Sequence, residues 1–135
     1  MIPTLLAVAA SVLLETDVPA TMRDGVVLRA DVLRPDSPGR FPAILIRTPY
    51  GKMSEWRDSF AIRAARAGYV VVAQDVRGRY ASEGVFRPYH QEGKDGYDTV
   101  EWVASLPYVN AKVGMAGLSY PGAVQWLAAM EKPPH

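Results

Sequence analysis

The sequence contains no cysteine. Disulfides and thiolate metal sites are excluded, although the compartment is not fixed by this, since a chain without cysteine folds in either redox setting. Histidine is scarce as well, with His90 and His135 the two copies. No cluster of His, Asp and Glu stands at metal-ligand spacing, so neither a metal nor another cofactor is expected. No G-x-G-x-x-G and no G-x-x-x-x-G-K-[ST] follows an apolar run, which removes the two common nucleotide-binding loops. The 11 arginines and 4 lysines are scattered and the formal net charge is +1. A nucleic-acid partner is therefore not expected, nor a solvated acidic tail. No apolar run reaches the roughly 20 residues of a membrane-spanning helix. The run from Ile2 to Leu14 has an A-x-A pattern at Ala7-Val8-Ala9, as in a secretory signal, but no Lys or Arg precedes it. Residues 1–14 are read as a signal or an N-terminal extension, the cytoplasm being favoured unless they belong to a signal. The composition fixes no oligomeric state.

What is present is the composition of one globular domain, 49% hydrophobic and 21% charged in 135 residues. Val18, Ala20 and Met22 fall on one side at period two. Asp24-Gly25 supplies a turn, and Val26, Leu28, Ala30 and Val32 alternate with Arg29 and Asp31. Two half-buried antiparallel strands fit this pattern, the first an edge because Pro19 lacks a ladder donor. The pattern then changes. Ala43–Ile46, Tyr69–Ala73 and Val113–Ala116 are short continuous apolar runs, as in parallel strands covered on both faces. Between them, Trp56, Phe60, Ala64 and Ala67 recur at helical spacing from an N-cap at Ser54 to a stop at Gly68. Tyr97, Val100, Val103 and Ala104 make a second stripe, and Ala123 to Met130 a third helix. The expected fold is α/β, a mostly parallel sheet opened by an antiparallel hairpin.

Ser119 stands between the third apolar run and the third helix, in AGLSYPGA. In an open α/β sheet this is the carboxyl end of the strands, where ligands bind. It is also where a nucleophile elbow pushes a serine hydroxyl into the open. Gly117 and Gly122 permit the close approach of strand and helix that such a corner needs. Pro121 breaks the strict G-x-S-x-G pattern but suits the first turn of a helix. The backbone N–H of Tyr120 would face the oxygen of a carbonyl attacked by Ser119, a donor worth about 3 kcal/mol at the transition state. The competing reading is a serine that only caps or turns the chain.

The segments GLSYPG (117–122), MRDGVVLRADVLRP (22–35), RTPYGK (47–52) and AQDVRGRYASEG (73–84) resemble, in order, motifs of the cocaine-esterase and X-prolyl dipeptidyl-peptidase (S15-type) hydrolases. The resemblance covers roughly residues 15–135. It implies an α/β-hydrolase domain and a serine hydrolase acting on small esters, amides or short peptides through an acyl-enzyme. It implies Ser119 as nucleophile, the Tyr120 backbone N–H as one oxyanion donor and the phenolic O–H of Tyr50 as the other. Read without it, Tyr50 is a loop aromatic. Asp75 and Arg77 end the second apolar run. The acid of such a triad follows the serine in sequence, so Asp75 is expected to be structural, in a carboxylate–guanidinium pair or in loop-capping hydrogen bonds. Glu83 is read in the same way.

The resemblance also implies several hundred residues, with later strands, a cap and a β-sandwich, of which this chain matches the first part. His90 precedes the serine in a polar segment, and His135 follows it by one helix. Neither suits a triad base. The chain is expected to be an incomplete fragment without the triad Asp and His, inactive alone. X-Pro dipeptidyl-peptidase and α-amino-acid ester hydrolase activities are alternatives, as is a non-catalytic remnant that keeps the fold as an interaction module.

Overall fold

The computed structural model describes residues 11–57 and 59–135, those at 56, 57 and 59 by backbone alone. The chain runs β1 (Val12–Thr21), β2 (Val27–Pro35), β3 (Phe41–Thr48), α1 (Lys52–Arg57), α2 (Ser59–Arg66), β4 (Val70–Asp75), α3 (Glu92–Ser105), β5 (Val109–Met115) and α4 (Tyr120–Met130). The five strands form one sheet in the order β1-β2-β4-β3-β5. The hairpin β1–β2 is antiparallel and joins β4 antiparallel, whereas β4, β3 and β5 run parallel to one another. This is the expected α/β sheet with its N-terminal hairpin, in mixed form. Pro19 lies in β1, at the sheet edge. The signal or extension at residues 1–14 falls mostly outside the described residues, while Val12–Leu14 already pair with Leu33–Pro35.

The apolar runs of β3 and β4 have the cause anticipated for them, whereas the third, Val113–Ala116 in edge strand β5, is only partly buried. In β4 every residue is buried. Val71 packs with Leu33, Ile46, Ala61 and Ala65 on one face. Val70 and Val72 pack with Leu45, Val100, Val103 and Val109 on the other. Strands covered on both faces have no solvent side on which to alternate. α2 covers the first face, α3 the second, and α4 packs beside α3.

Three local expectations are corrected. Helix α1 begins at Lys52, and Ser54 Oγ donates to the Gly51 carbonyl at 2.7 Å instead of capping. The buried stripe of α2 is Ala61 and Ala65, while Phe60 and Ala67 are exposed. Small residues take the inner positions there because the helix lies close on β2 and β4. The side chain of Trp56 lies outside the described residues. Finally, β5 starts four residues earlier than its apolar core. Between the pairs Phe41↔Val109 and Ala43↔Val113 it carries two extra residues, and Ala111 has φ 67°. The bulge breaks the period that would have marked the strand.

Candidate active site

The carboxyl ends of β3, β4 and β5 lie side by side, because β3 is paired in parallel with both neighbours. Their loops carry Tyr50, Asp75 to Glu83 and Ser119 to one edge of the sheet. Leu45 is in register with Met115, and the Ala116 N–H donates to the Leu45 carbonyl at 3.1 Å. Tyr50 and Ser119 then follow on adjacent strands, five and four residues past that pair.

Ser119 has φ 66° and ψ −124°, a backbone region that L-residues enter only under constraint. Three neighbours impose it. Gly117 has φ 140°, and a β-carbon there would overlap the side chain of Pro121. Pro121 sits in the first turn of α4, as its fixed φ favours. Gln125 Nε2 donates to the carbonyls of Gly117 and Pro121, at 3.2 and 3.1 Å, lacing the corner to the helix. Ser119 occupies the N-cap position of α4, yet its hydroxyl makes no capping hydrogen bond and the residue is exposed. The capping role that would explain a serine here is not performed.

Tyr120 is the first residue of α4, so its N–H is among those that a helix leaves without an intrahelical acceptor. Its side chain is buried under the corner. The phenol oxygen accepts the Tyr89 N–H at 3.0 Å, and the two rings stack with centroids 4.5 Å apart. Burial and the Glu92 carboxylate push this phenol up to about 12. Tyr120 thus stays neutral, and its side chain acts as an anchor for the corner. Tyr50 is 55% exposed, with its N–H donated to Thr48 Oγ1 at 3.1 Å. Together with Tyr80, Lys52 and Asp75 it lines a cavity of about 320 Å³ that neither Ser119 nor Tyr120 lines.

Asp75 is fully buried and spent on structure. Its Oδ1 accepts the Lys52 N–H at 2.8 Å and its Oδ2 the Ala81 N–H at 3.2 Å. It also pairs with Lys52 Nζ at 3.3 Å. This is the loop-capping arrangement expected of it. The carboxylate–guanidinium pair with Arg77 is not formed. Arg77 instead bridges Asp95 on α3 (2.7 Å) and Asp24 in the β1–β2 turn (2.9 Å). Those carboxylates, Asp95 foremost, outweigh desolvation and hold its pKa above the ordinary arginine value. Glu83 takes the Val27 N–H at 3.1 Å, again a loop cap.

The sequence had not singled out Lys52, whose ammonium also reaches Asp17 (2.7 Å) and Asp31 (3.6 Å). Nor had it found the buried Arg47, which pairs with Glu92 at 3.3 Å and donates to Gln74 Oε1 at 2.8 Å. Both basic residues stand in RTPYGK, and the company of that motif was their only signal.

Neither histidine is placed as a base for Ser119. His135 Nδ1 lies 2.8 Å from Glu101 Oε2, past the far end of α4, an 11-residue helix that rises about 16 Å. His90 is exposed beside the groove between α3 and α4. Among the described residues no helix is long and apolar enough to cross a membrane.

Comparison with known proteins adds relatives to this geometry. The family model for X-Pro dipeptidyl-peptidase (S15 family) matches residues 24–135. Cocaine esterase of Rhodococcus sp. (strain MB1 Bresler) is 41% identical over 119 residues, 85% of this chain and 21% of that protein. A CocE/NonD family hydrolase from Staphylococcus aureus superposes with a TM-score of 0.83 at 30% identity, over 92% of this chain and 26% of its own. An α-amino acid ester hydrolase gives a TM-score of 0.81 at 29% identity, over 98% and 25%. This chain therefore spans between 21% and 26% of these relatives.

Proposed function

The chain belongs to the X-Pro dipeptidyl-peptidase (S15) family of hydrolases, and from that membership we propose that it supplies the nucleophile and the oxyanion donors of a serine esterase. One observation carries the reading. Ser119 is held at φ 66° at the N-terminus of α4, with its hydroxyl free of the capping bond that a structural serine would make. In this reading Ser119 Oγ attacks the carbonyl carbon of an ester. The carbonyl oxygen becomes an oxyanion that accepts from the Tyr120 N–H and the Tyr50 O–H. Collapse expels the alcohol, whose oxygen takes up the proton given up by Ser119 Oγ, and leaves an acyl-serine for water to cleave.

A serine hydroxyl at neutral pH is a weak nucleophile without an adjacent base. Neither histidine of these 135 residues is so placed, and Asp75 is committed to Lys52 and Ala81. Taken alone, then, the 135 residues are not competent for triad-level turnover. A carboxylic ester is the favoured substrate over an α-amino ester or X-Pro peptide, since Pro121 offers no charge beside Ser119 to hold an ammonium.

The test is hydrolysis of p-nitrophenyl esters by the protein expressed from its whole reading frame. Turnover should vanish in Ser119→Ala. Turnover that survives this change, or its absence from the unmutated protein, overturns the reading and favours a non-catalytic remnant.

A further inference from the structure

The two proposed oxyanion donors come from different loops, Tyr50 after β3 and Tyr120 after β5. A hole for one oxygen needs their separation fixed to within a fraction of an ångström. A third loop, between β4 and α3, makes contact with both. Arg79 Nε donates to the carbonyl of Pro49, the residue before Tyr50, at 2.9 Å. Its guanidinium carbon stands 5.4 Å from the centre of the Tyr80 ring and 5.2 Å from that of Phe86. The Tyr80 ring covers Gly51, the residue after Tyr50. The Phe86 ring lies 6.1 Å from the Tyr120 ring, tilted by 47°. Direct contacts thus run from Pro49 through Arg79 and Phe86 to Tyr120.

The loop is laced to itself by backbone hydrogen bonds. Its backbone closes through Arg79 N–H to Val76 O, Ser82 N–H to Arg79 O and Gly78 N–H to Glu83 O, each at 2.9–3.0 Å. Phe86 backbone passes so close to Gly78 that a β-carbon there would overlap it. Arginine suits the position because its planar head can face two rings while the Nε–H donates in its own plane.

We infer that Arg79 is a positioning residue for the oxyanion hole, setting the place of Tyr50 through Pro49 and of Tyr120 through Phe86. The inference rests on the hydrolase reading above.

The test compares Arg79→Met, Arg79→Lys, Tyr50→Phe, the Arg79→Met/Tyr50→Phe double variant and Ser119→Ala, in the protein expressed from its whole reading frame, on p-nitrophenyl esters. Methionine keeps apolar bulk between the rings but has no donor. Arg79→Met should lower kcat about tenfold with KM changed less than about twofold, as for a displaced transition-state donor. Arg79→Lys should fall between it and the unmutated protein. In the Tyr50→Phe background the Arg79→Met change should cost only about threefold, because Tyr120 alone is left for it to displace. Full additivity in the double variant overturns the inference. So does a loss of stability with kcat per folded molecule unchanged, read in Arg79→Lys if Arg79→Met does not fold. Tyr50→Phe at unmutated kcat overturns the role of Tyr50 and the inference with it. Turnover that is absent, or indifferent to Ser119→Ala, instead overturns the hydrolase reading.

Discussion

The carboxylate of Asp75 accepts the backbone N–H of Lys52 at 2.8 Å and is paired with that residue's ammonium at 3.3 Å. One side chain therefore ties the end of β4 to the loop that carries Tyr50, and through its other oxygen to Ala81. In Asp75→Asn the amide can still accept from one N–H but turns a donor towards the other. A buried bond is lost and a donor is left opposed. The expected cost is about 1–3 kcal/mol of stability, read from urea unfolding, with the proposed ester hydrolysis per folded molecule reduced only modestly. A loss of about 10⁴ in kcat with stability unchanged would instead mark Asp75 as a triad acid.

The succession of strands and helices along the chain, the covered faces of β4 and the corner at Ser119 were legible in the sequence, because each follows from periodicity or from small residues at a turn. The phase of α2 was not. Phe60 looks like a core residue, yet two alanines face the sheet. The partners of Asp75 and Arg77 were not legible either. Neighbouring opposite charges at the end of a strand point to different loops, and Arg77 finds Asp24 and Asp95 by tertiary folding alone. Ser119 was legible as a position; that its hydroxyl is free of a capping bond was not.

Two half-exposed ion pairs make stability depend on acid pH. Hydrogen bonds from Arg77 hold Asp24 below its ordinary 3.8. For Asp98 desolvation works upwards, but the Arg23 guanidinium and N–H outweigh it and the net shift is downwards. A lowered carboxylate pKa means that the unfolded chain binds more protons, so stability is present above the ordinary value and is lost as pH falls through the folded one. The urea midpoint should therefore decline as pH drops below about 4. In Asp24→Asn/Asp98→Asn that decline should be shallower, from a lower starting stability. An unchanged slope would mean that these pairs do not contribute.

The alkaline side has its own marker. The Tyr120 phenol is raised from 10.0 to about 12, by burial first and then by Glu92. Here the folded chain holds the proton longer. Stability is fully present below pH 10 and is lost as pH rises through 12. Ultraviolet titration of phenolate in the folded chain should show late-titrating tyrosines, Tyr108 also being raised by burial, one of which disappears in Tyr120→Phe. Should every tyrosine titrate near its ordinary value, the phenol is not held under the corner as described.

Strain at Ser119 gives the sharpest separation of stability from activity. A non-glycine residue at φ 66°, ψ −124° costs about 1–3 kcal/mol, retained only where the surroundings over-determine it. Glycine enters that region freely, at some cost in unfolded-state entropy. Ser119→Gly should therefore stabilise the chain by about 1 kcal/mol, seen as a higher urea midpoint at constant slope. Ser119→Ala keeps the β-carbon and should stay within about 0.5 kcal/mol, since no capping bond is lost. Both changes remove the proposed nucleophile, so both should abolish the turnover proposed for the protein expressed from its whole reading frame. A serine that served the fold would give the opposite order: both variants would be less stable than the unmutated chain. Gain in stability on replacing Ser119 by glycine would place the cost of this corner in its backbone, where the proposed nucleophile is held with its hydroxyl out of the capping bond.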